Sequence, residues 1–354
     1  ATDLTPTVWS NLKDAPGITA VASANTYFNH IAFNTGAALV DGTPIGDGNP
    51  AVRDARVRRA LSLAIDREAM TERLLQGLGT SGSTVIPPMY ADLHLTPASG
   101  VEYDPALAGQ LLDEAGYPLG PDGVRVGSDG QPLTLRFFGR SDGDADSAKI
   151  LEYVQAYFAD VGVTLESSLV STDVIITKYG EGKYDLYEWG WGVEPDPNYM
   201  LSAFTCANRS YEDEGAIYST LSDSFYCNEE YDALWEEQST ETDSVRRAEI
   251  VRQMQQMLID DMPYLVLYYP DQLSAYRSDR FTGFIPQPRE NGAILFQYGT
   301  WTWDALAPVT AEAPASEGGS ASAPASGEGS SASTPAATSG SSTLPYVIVG
   351  AVVI

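Results

Sequence analysis

The side chains with the most chemistry within reach of one another lie in YDLYEWGWGVEPDPNY, Tyr184 to Tyr199. Two indoles, Trp189 and Trp191, and two carboxylates, Glu194 and Asp196, fall within eight residues there. A carboxylate shielded from water and aimed at an ammonium forms a strong charge-assisted hydrogen bond, and an indole beside it supplies an apolar wall or a cation–π face. Catalysis is a poorer use of the same residues. Two acids two residues apart in a proline-containing loop are not a recognisable acid/base pair, and no nucleophile–base pair accompanies them. With only His30 and His94 in the chain, a His-rich metal site or a Ser-His-Asp hydrolase has little material. No metal and no cofactor are expected.

What must position these residues is a strand and its end. Asp185 to Trp189 alternates in character and is rich in aromatics, as a strand does. The glycines at 190 and 192 and the prolines at 195 and 197 then predict a break into a loop. In α/β proteins the loop at the end of a buried strand is where small ligands are held.

The rest of the composition narrows the class. At 354 residues with 43% hydrophobic content the chain can bury a sizeable core. A formal charge of -28, with lysine only at 13, 149, 178 and 183, argues against a nucleic-acid partner, and none is expected. The acidic surface reads as a solubility feature. Two cysteines, Cys206 and Cys227, are present. Residues 307–343 are almost wholly Ala, Ser, Gly, Pro, Thr and Glu, a linker composition. Residues 344–354, LPYVIVGAVVI, are apolar and uncharged, about half of the roughly 20 residues a membrane helix needs. The expectation is a stalk and the start of a truncated transmembrane anchor. No signal segment opens the chain at Ala1, so both ends are expected to be cut.

Between the ends the periodicity predicts alternating elements. Short strands are expected at 18–21 and 27–33. A helix follows in DARVRRALSLAI with Val57, Leu61, Ala64 and Ile65 on one face and Arg53, Arg56 and Arg59 mostly off it. Asp66 caps a second helix running to Gly77. Asp104-Pro105 starts another, with Leu107, Leu111, Leu112 and Ala115 as its buried stripe. Strands at 133–138, 163–169 and 185–189 alternate with helices at 144–160 and 173–179. That β-α-β-α-β order predicts parallel strands in an α/β lobe. Helices from Asn228 and from Asp243 to Asp260 follow, then strands at 265–268 and 272–276, and an aromatic, turn-rich stretch at 283–303.

Five segments, in order, carry a resemblance: YFNHIAFNT (27–35), RDARVRRALSLAIDREAM (53–70), YDPALAGQLLDEAGYP (103–118), KYDLYEWGWGVEPDPNYML (183–201) and the stretch from Tyr226 to Asp271. Through them the chain resembles the family 5 extracellular solute-binding proteins, the dipeptide- and oligopeptide-type receptors of ABC importers. The resemblance covers roughly residues 1–305. It implies a two-lobed α/β clam, the type II or cluster C periplasmic-binding-protein fold, with solute between the lobes. Residues 1–33 would be the end of the first lobe and the hinge, 34–265 the second lobe and 266–306 the return to the first. Most of the first lobe would precede these residues.

The same resemblance assigns candidate roles. Peptide-type members often carry a disulfide after the ligand loop, where Cys206 and Cys227 stand; outside the cytoplasm such a pair is usually bridged. Glu194 matches the acidic position that pairs with a peptide's ammonium, with glutamate in place of the usual aspartate. Trp189 and Trp191 would wall the ligand. Asp196-Pro197, also in the ligand loop, is better suited to capping a helix near Asn198. Arg140 lies near the place where dipeptide-type relatives hold the ligand's carboxylate. Tyr179 stands where an oligopeptide-type relative has a basic contact, and Glu188 departs from another, which leaves sugars, opines and metal chelates open as solutes. The implied partners are a small solute, a peptide first, and ABC permease subunits, with the receptor a monomer. A membrane-tethered solute sensor is the alternative.

Overall fold

The computed structural model describes residues 1–143, 146–287, 292–294 and 300–309. The expected linker beyond 309, the apolar 344–354 stretch, the first residues of the helix expected from Asp144 and parts of the aromatic stretch after 287 lie outside them.

Local chemistry sets the helix starts. After the short helix α1 (Pro6–Leu12) and the strands β1 (Ile18–Ser23) and β2 (Tyr27–Phe33), α2 (Ala55–Leu63) begins where Asp54 accepts from the Arg56 N–H at 2.8 Å. Asp66 caps α3 (Arg67–Leu75) through the Ala69 N–H at 2.9 Å, as expected. That helix stops short of Gly77 because Gln76 already turns left-handed, at φ 55°. After the short strand β3 (Gly79–Ser81), Asp104 caps α4 (Pro105–Glu114) with proline in its first turn. Ala108 and Leu112 are the fully buried residues of α4, and Leu107, Leu111 and Ala115 only flank them. The stripe is thus narrower than expected, because α4 touches the core along one edge.

Then come β4 (Thr134–Arg140), α5 (Ser147–Asp160), β5 (Thr164–Val170), α6 (Thr172–Gly180) and β6 (Leu186–Gly192). As the order predicts, β4 pairs in parallel with both β5 and β6. The short helix α7 (Asn198–Ser202) and a hairpin of β7 (Tyr211–Asp213) and β8 (Ala216–Tyr218) lead to α8 (Glu229–Thr240) and α9 (Ser244–Asp261). Asn228 and Asp243 cap these two helices with their side chains. The strands β9 (Tyr264–Pro270) and β10 (Gln272–Arg277) follow.

Six strands form one mixed sheet in the order β3-β9-β2-β6-β4-β5. The first three are not in sequence neighbourhood with the rest: β2 is inserted antiparallel between β6 and β9. Its expected apolar–polar alternation gives no exposed face. Phe28 through Phe33 are all buried, Asn29 and His30 included, because both sides of the sheet are covered. Ile31, Phe33 and Leu186 face the cluster built with α2, α3, α4 and α5, while Phe28, Ala32 and Tyr187 face the one built with α9. Separately, β1 and β10 pair as an antiparallel ribbon from Ile18↔Arg277 to Ser23↔Gln272. Residues Ala1–Pro308 make one compact unit.

Two arginines of the 53–70 segment are structural. Arg58, 4% exposed, donates to the carbonyls of Val52, Arg53, Asp261 and Met262, so it clamps the C-terminal end of α9. Arg67 donates to Val266 O at 3.0 Å and Val101 O at 2.7 Å. Burial lowers the pKa of both to about 10, and both remain cations at neutral pH.

Candidate ligand-binding site

The C-terminal ends of the parallel strands β4 and β6 carry a polar and aromatic grouping, at the place α/β sheets offer ligands. Arg140 is the last residue of β4. Beside it on β6, Glu188 is fully buried and accepts from Asn29 Nδ2 at 2.6 Å, Ser147 Oγ at 2.8 Å and Arg140 Nη2 at 3.2 Å. Ser147 comes from the first turn of α5 and Asn29 from β2, so three elements fix one carboxylate. Burial works to lower the Arg140 pKa, but Glu188 and Tyr27 outweigh it and hold the guanidinium above its usual range. Its side chain is 13% exposed and its centre stands 4.8 Å from the Trp189 ring, a cation–π distance. Among the described residues its buried Nε has no hydrogen-bond partner.

An aromatic wall continues from this pair. Tyr187 meets Trp189 edge-on at 6.3 Å and Tyr184 edge-on at 5.1 Å. Tyr179, at the end of α6, stacks on Tyr187 at 5.8 Å and 13°. Burial first, then the Asp223 carboxylate, pushes the Tyr179 phenol up to about 12, so it is a neutral aromatic surface. The strand does not break at Gly190 as expected. It runs on to Gly192, pairing Gly190 with Asn29 and Gly192 with Tyr27. Glycine is needed there for space: a Cβ on Gly190 would lie 1.6 Å from the Tyr27 hydroxyl.

Trp191 points to a group that the sequence did not single out. Its Nε1 donates to Asp223 Oδ2 at 3.3 Å and to the Tyr264 hydroxyl at 3.2 Å. Asp223 is 3% exposed, accepts from the Tyr264 hydroxyl, and receives Tyr184 on its backbone carbonyl at 2.5 Å. Burial pushes its carboxyl up to about 6, against the hydrogen bonds from Tyr264, Tyr187 and Trp191. His30, stacked on Tyr264 at 4.0 Å, is held neutral by burial and then by Arg140. Nothing in the local run LSDSF separates Asp223 from an ordinary loop aspartate.

The two loop carboxylates part company. Glu194 is exposed beyond the end of β6, close enough to bear on the Tyr90 phenol, whose hydroxyl donates to Val193 O at 2.7 Å. Asp196 is committed elsewhere: Arg247 grips both its oxygens at 2.8 and 2.7 Å, and Asn198 N–H donates to it at 2.9 Å. It lies one residue before the N-cap of α7, which is Pro197 and makes no side-chain capping bond, so the expected cap is replaced by a turn contact to Asn198 and its charge is already paired. Cys206 and Cys227 are joined by a disulfide. Another buried acid, Asp185, is structural: it takes Arg136 on both oxygens and the Asn49 N–H at 2.7 Å, tying β4 and β6 to the loop before α2.

Solved structures with the same fold include the oligopeptide-binding protein AppA from Bacillus subtilis in complex with a nonapeptide. It matches with a TM-score of 0.68 and 19% identity, covering 87% of this chain and 55% of that one. NikZ from Campylobacter jejuni in complex with Ni(L-His) matches with a TM-score of 0.68 and 20% identity, over 86% and 56% of the two chains. The fold is therefore that of the two-lobed α/β periplasmic binding proteins. Residues 1–212 match the model of the bacterial extracellular solute-binding proteins, family 5 Middle, and the chain belongs to that family. Heme-binding protein A of Haemophilus influenzae is 25% identical over 292 residues, 82% of this chain and 46% of the relative. The dipeptide-binding protein of Escherichia coli K12 is 25% identical over 240 residues, 66% and 41% of the two chains. This chain thus spans about half the length of the curated relatives it matches. Among the described residues no helix is long and apolar enough to cross a membrane.

Proposed function

We propose that this protein is the extracytoplasmic binding component of an ABC importer, which captures a peptide and hands it to a membrane permease without catalysis. The observation that carries the reading is the cation Arg140 set in an aromatic wall at the C-terminal ends of β4 and β6. Membership of a solute-binding family supports it, as do the peptide ligands in the names of several relatives.

In this reading Trp189, Tyr187 and Tyr179 are the apolar face of the cleft, and Arg140 meets an oxygen of the solute. Glu194, exposed and charged, pairs with the solute's ammonium when the lobes close over it. Trp191 contacts the solute with one ring face while Asp223 and Tyr264 fix its nitrogen. Asp196 has no part in binding, because Arg247 already neutralises it. The six-stranded sheet, β2 and β9 included, and its covering helices are the second lobe, so the share of the first lobe is smaller than 1–33 and 266–306, and the separate β1–β10 ribbon supports assigning it the segments around 18–23 and 272–277. The receptor works as a monomer. The composition of 307–343 and the apolar 344–354 support a surface tether.

The test uses the full-length receptor purified from its own growth medium, denatured, with released small molecules identified by mass spectrometry. Peptides with free amino termini are the expected result. A heme, a metal chelate or a sugar would keep the importer and retire the peptide. With the peptide in hand, Glu194→Gln should weaken binding by on the order of 2–5 kcal/mol if the ion pair is desolvated; unchanged affinity would remove Glu194 from the site.

A further inference from the structure

We infer that Glu188 is a specificity-determining residue: by neutralising Arg140 from inside the fold, it makes this wall accept an uncharged oxygen, such as a peptide amide carbonyl, in preference to a free carboxylate. The inference rests on the reading of Arg140 and Trp189 as cleft wall. Four observations carry it. Glu188 has no exposure at all, so its charge is not screened by solvent. It is held from three sides, by Asn29, Ser147 and Arg140, and cannot swing away to release the arginine. Asn29 and Ser147 both act as donors to it, so each of its oxygens is already bonded inside the fold.

The fourth observation is the geometry left on Arg140. Its side chain keeps 13% exposure beside Trp189, while Nη2 gives one of its two N–H groups to Glu188 at 3.2 Å. The donors on the exposed part of the guanidinium can meet a neutral carbonyl without adding charge. A ligand carboxylate would bring a second anion against an arginine whose charge is already balanced, and like charges sharing a site oppose each other. The peptide class that fits has its chain continuing past Arg140, or its terminus blocked, so that a backbone carbonyl and not the terminal carboxylate meets the arginine.

The experiment compares two probes on the full-length receptor: a mixed-sequence tetrapeptide library with free carboxyl termini and the same library C-terminally amidated. Affinity is read by competition for retention on the immobilised protein. The wild type should retain the amidated library at least as well as the free-acid one. Glu188→Gln, nearly isosteric and still able to accept from Asn29, should shift the preference toward free acids by about tenfold. A wild-type preference for free acids, or a ratio that Glu188→Gln leaves unmoved, overturns the inference and leaves peptide binding standing. Retention of neither library overturns the peptide reading, and this inference with it. The wild-type comparison needs no variant, so a Glu188→Gln protein that fails to fold does not shield the proposal.

Discussion

Asp223 offers the sharpest quantitative test, because one buried carboxyl links the stability of the fold to the Trp191 side of the site. In the folded chain its carboxyl titrates near about 6, against 3.8 for the free side chain, and burial is the leading cause. The folded state therefore holds its proton more tightly than the unfolded state does. Its contribution to stability is fully present below about pH 4 and is lost as pH rises through about 6. A displacement from 3.8 to about 6 corresponds to about 3 kcal/mol at neutral pH. The perturbation is Asp223→Asn, which keeps the shape and an acceptor for Tyr264 on Oδ1 while replacing the Oδ2 that accepts from Trp191, a loss that does not vary with pH. Urea unfolding of both proteins from pH 4 to 8 is the assay, followed by tryptophan fluorescence, with the difference between their unfolding free energies plotted against pH. Wild type should lose about 3 kcal/mol relative to the variant across that range, with most of the loss between pH 4 and 6. A flat difference, or one that rises with pH, would refute the claim that the charge is buried at a cost. The Trp191 emission of the wild type should move over the same range, since its Nε1 bonds the titrating group.

Other expectations follow from single contacts. Reducing the Cys206–Cys227 bond opens a loop of sequence separation 21, and should lower stability by roughly 3 kcal/mol, seen as a lower Tm in reductant. Gly190→Ala forces the Tyr27 hydroxyl away from a Cβ it would meet at 1.6 Å. Thermal unfolding should register a loss of about 1–3 kcal/mol, and an unaffected Tm would show that Tyr27 is free to swing. Asp104→Ala removes the acceptor for the Leu107 N–H at 2.9 Å and should cost about 1 kcal/mol in urea unfolding, without altering solute affinity.

Much of this protein was legible before any coordinates. Helix starts at Asp66, Asp104, Asn228 and Asp243 are local events, one side chain bonding a backbone N–H two or three residues on. The parallel pairing of β4, β5 and β6 follows from strands alternating with helices. The aromatic segment likewise stands out in the sequence as the candidate ligand face, because its residue types are unusual whatever surrounds them. Sheet order was not legible. Inserting β2 between β6 and β9 buries both faces of Tyr27–Phe33, and a chain read in order has no sign of it.

The partners of the site residues were decided by the packing of the whole lobe. Arg140 meets Glu188 across 48 positions, and Trp191 meets Asp223 and Tyr264 across 32 and 73. Arg58 looks like its neighbours Arg56 and Arg59, yet it alone of the three reaches the end of α9, 203 positions away. Residue type and spacing determine which groups can cap, pair in a helix or turn the chain, since those contacts close within a few residues. Whether Glu188 neutralises an arginine or faces water, and whether Asp223 is a surface acid or a buried one, depends on which strands lie side by side. Only the packed sheet sets those distances, and with them the dielectric that each charge feels.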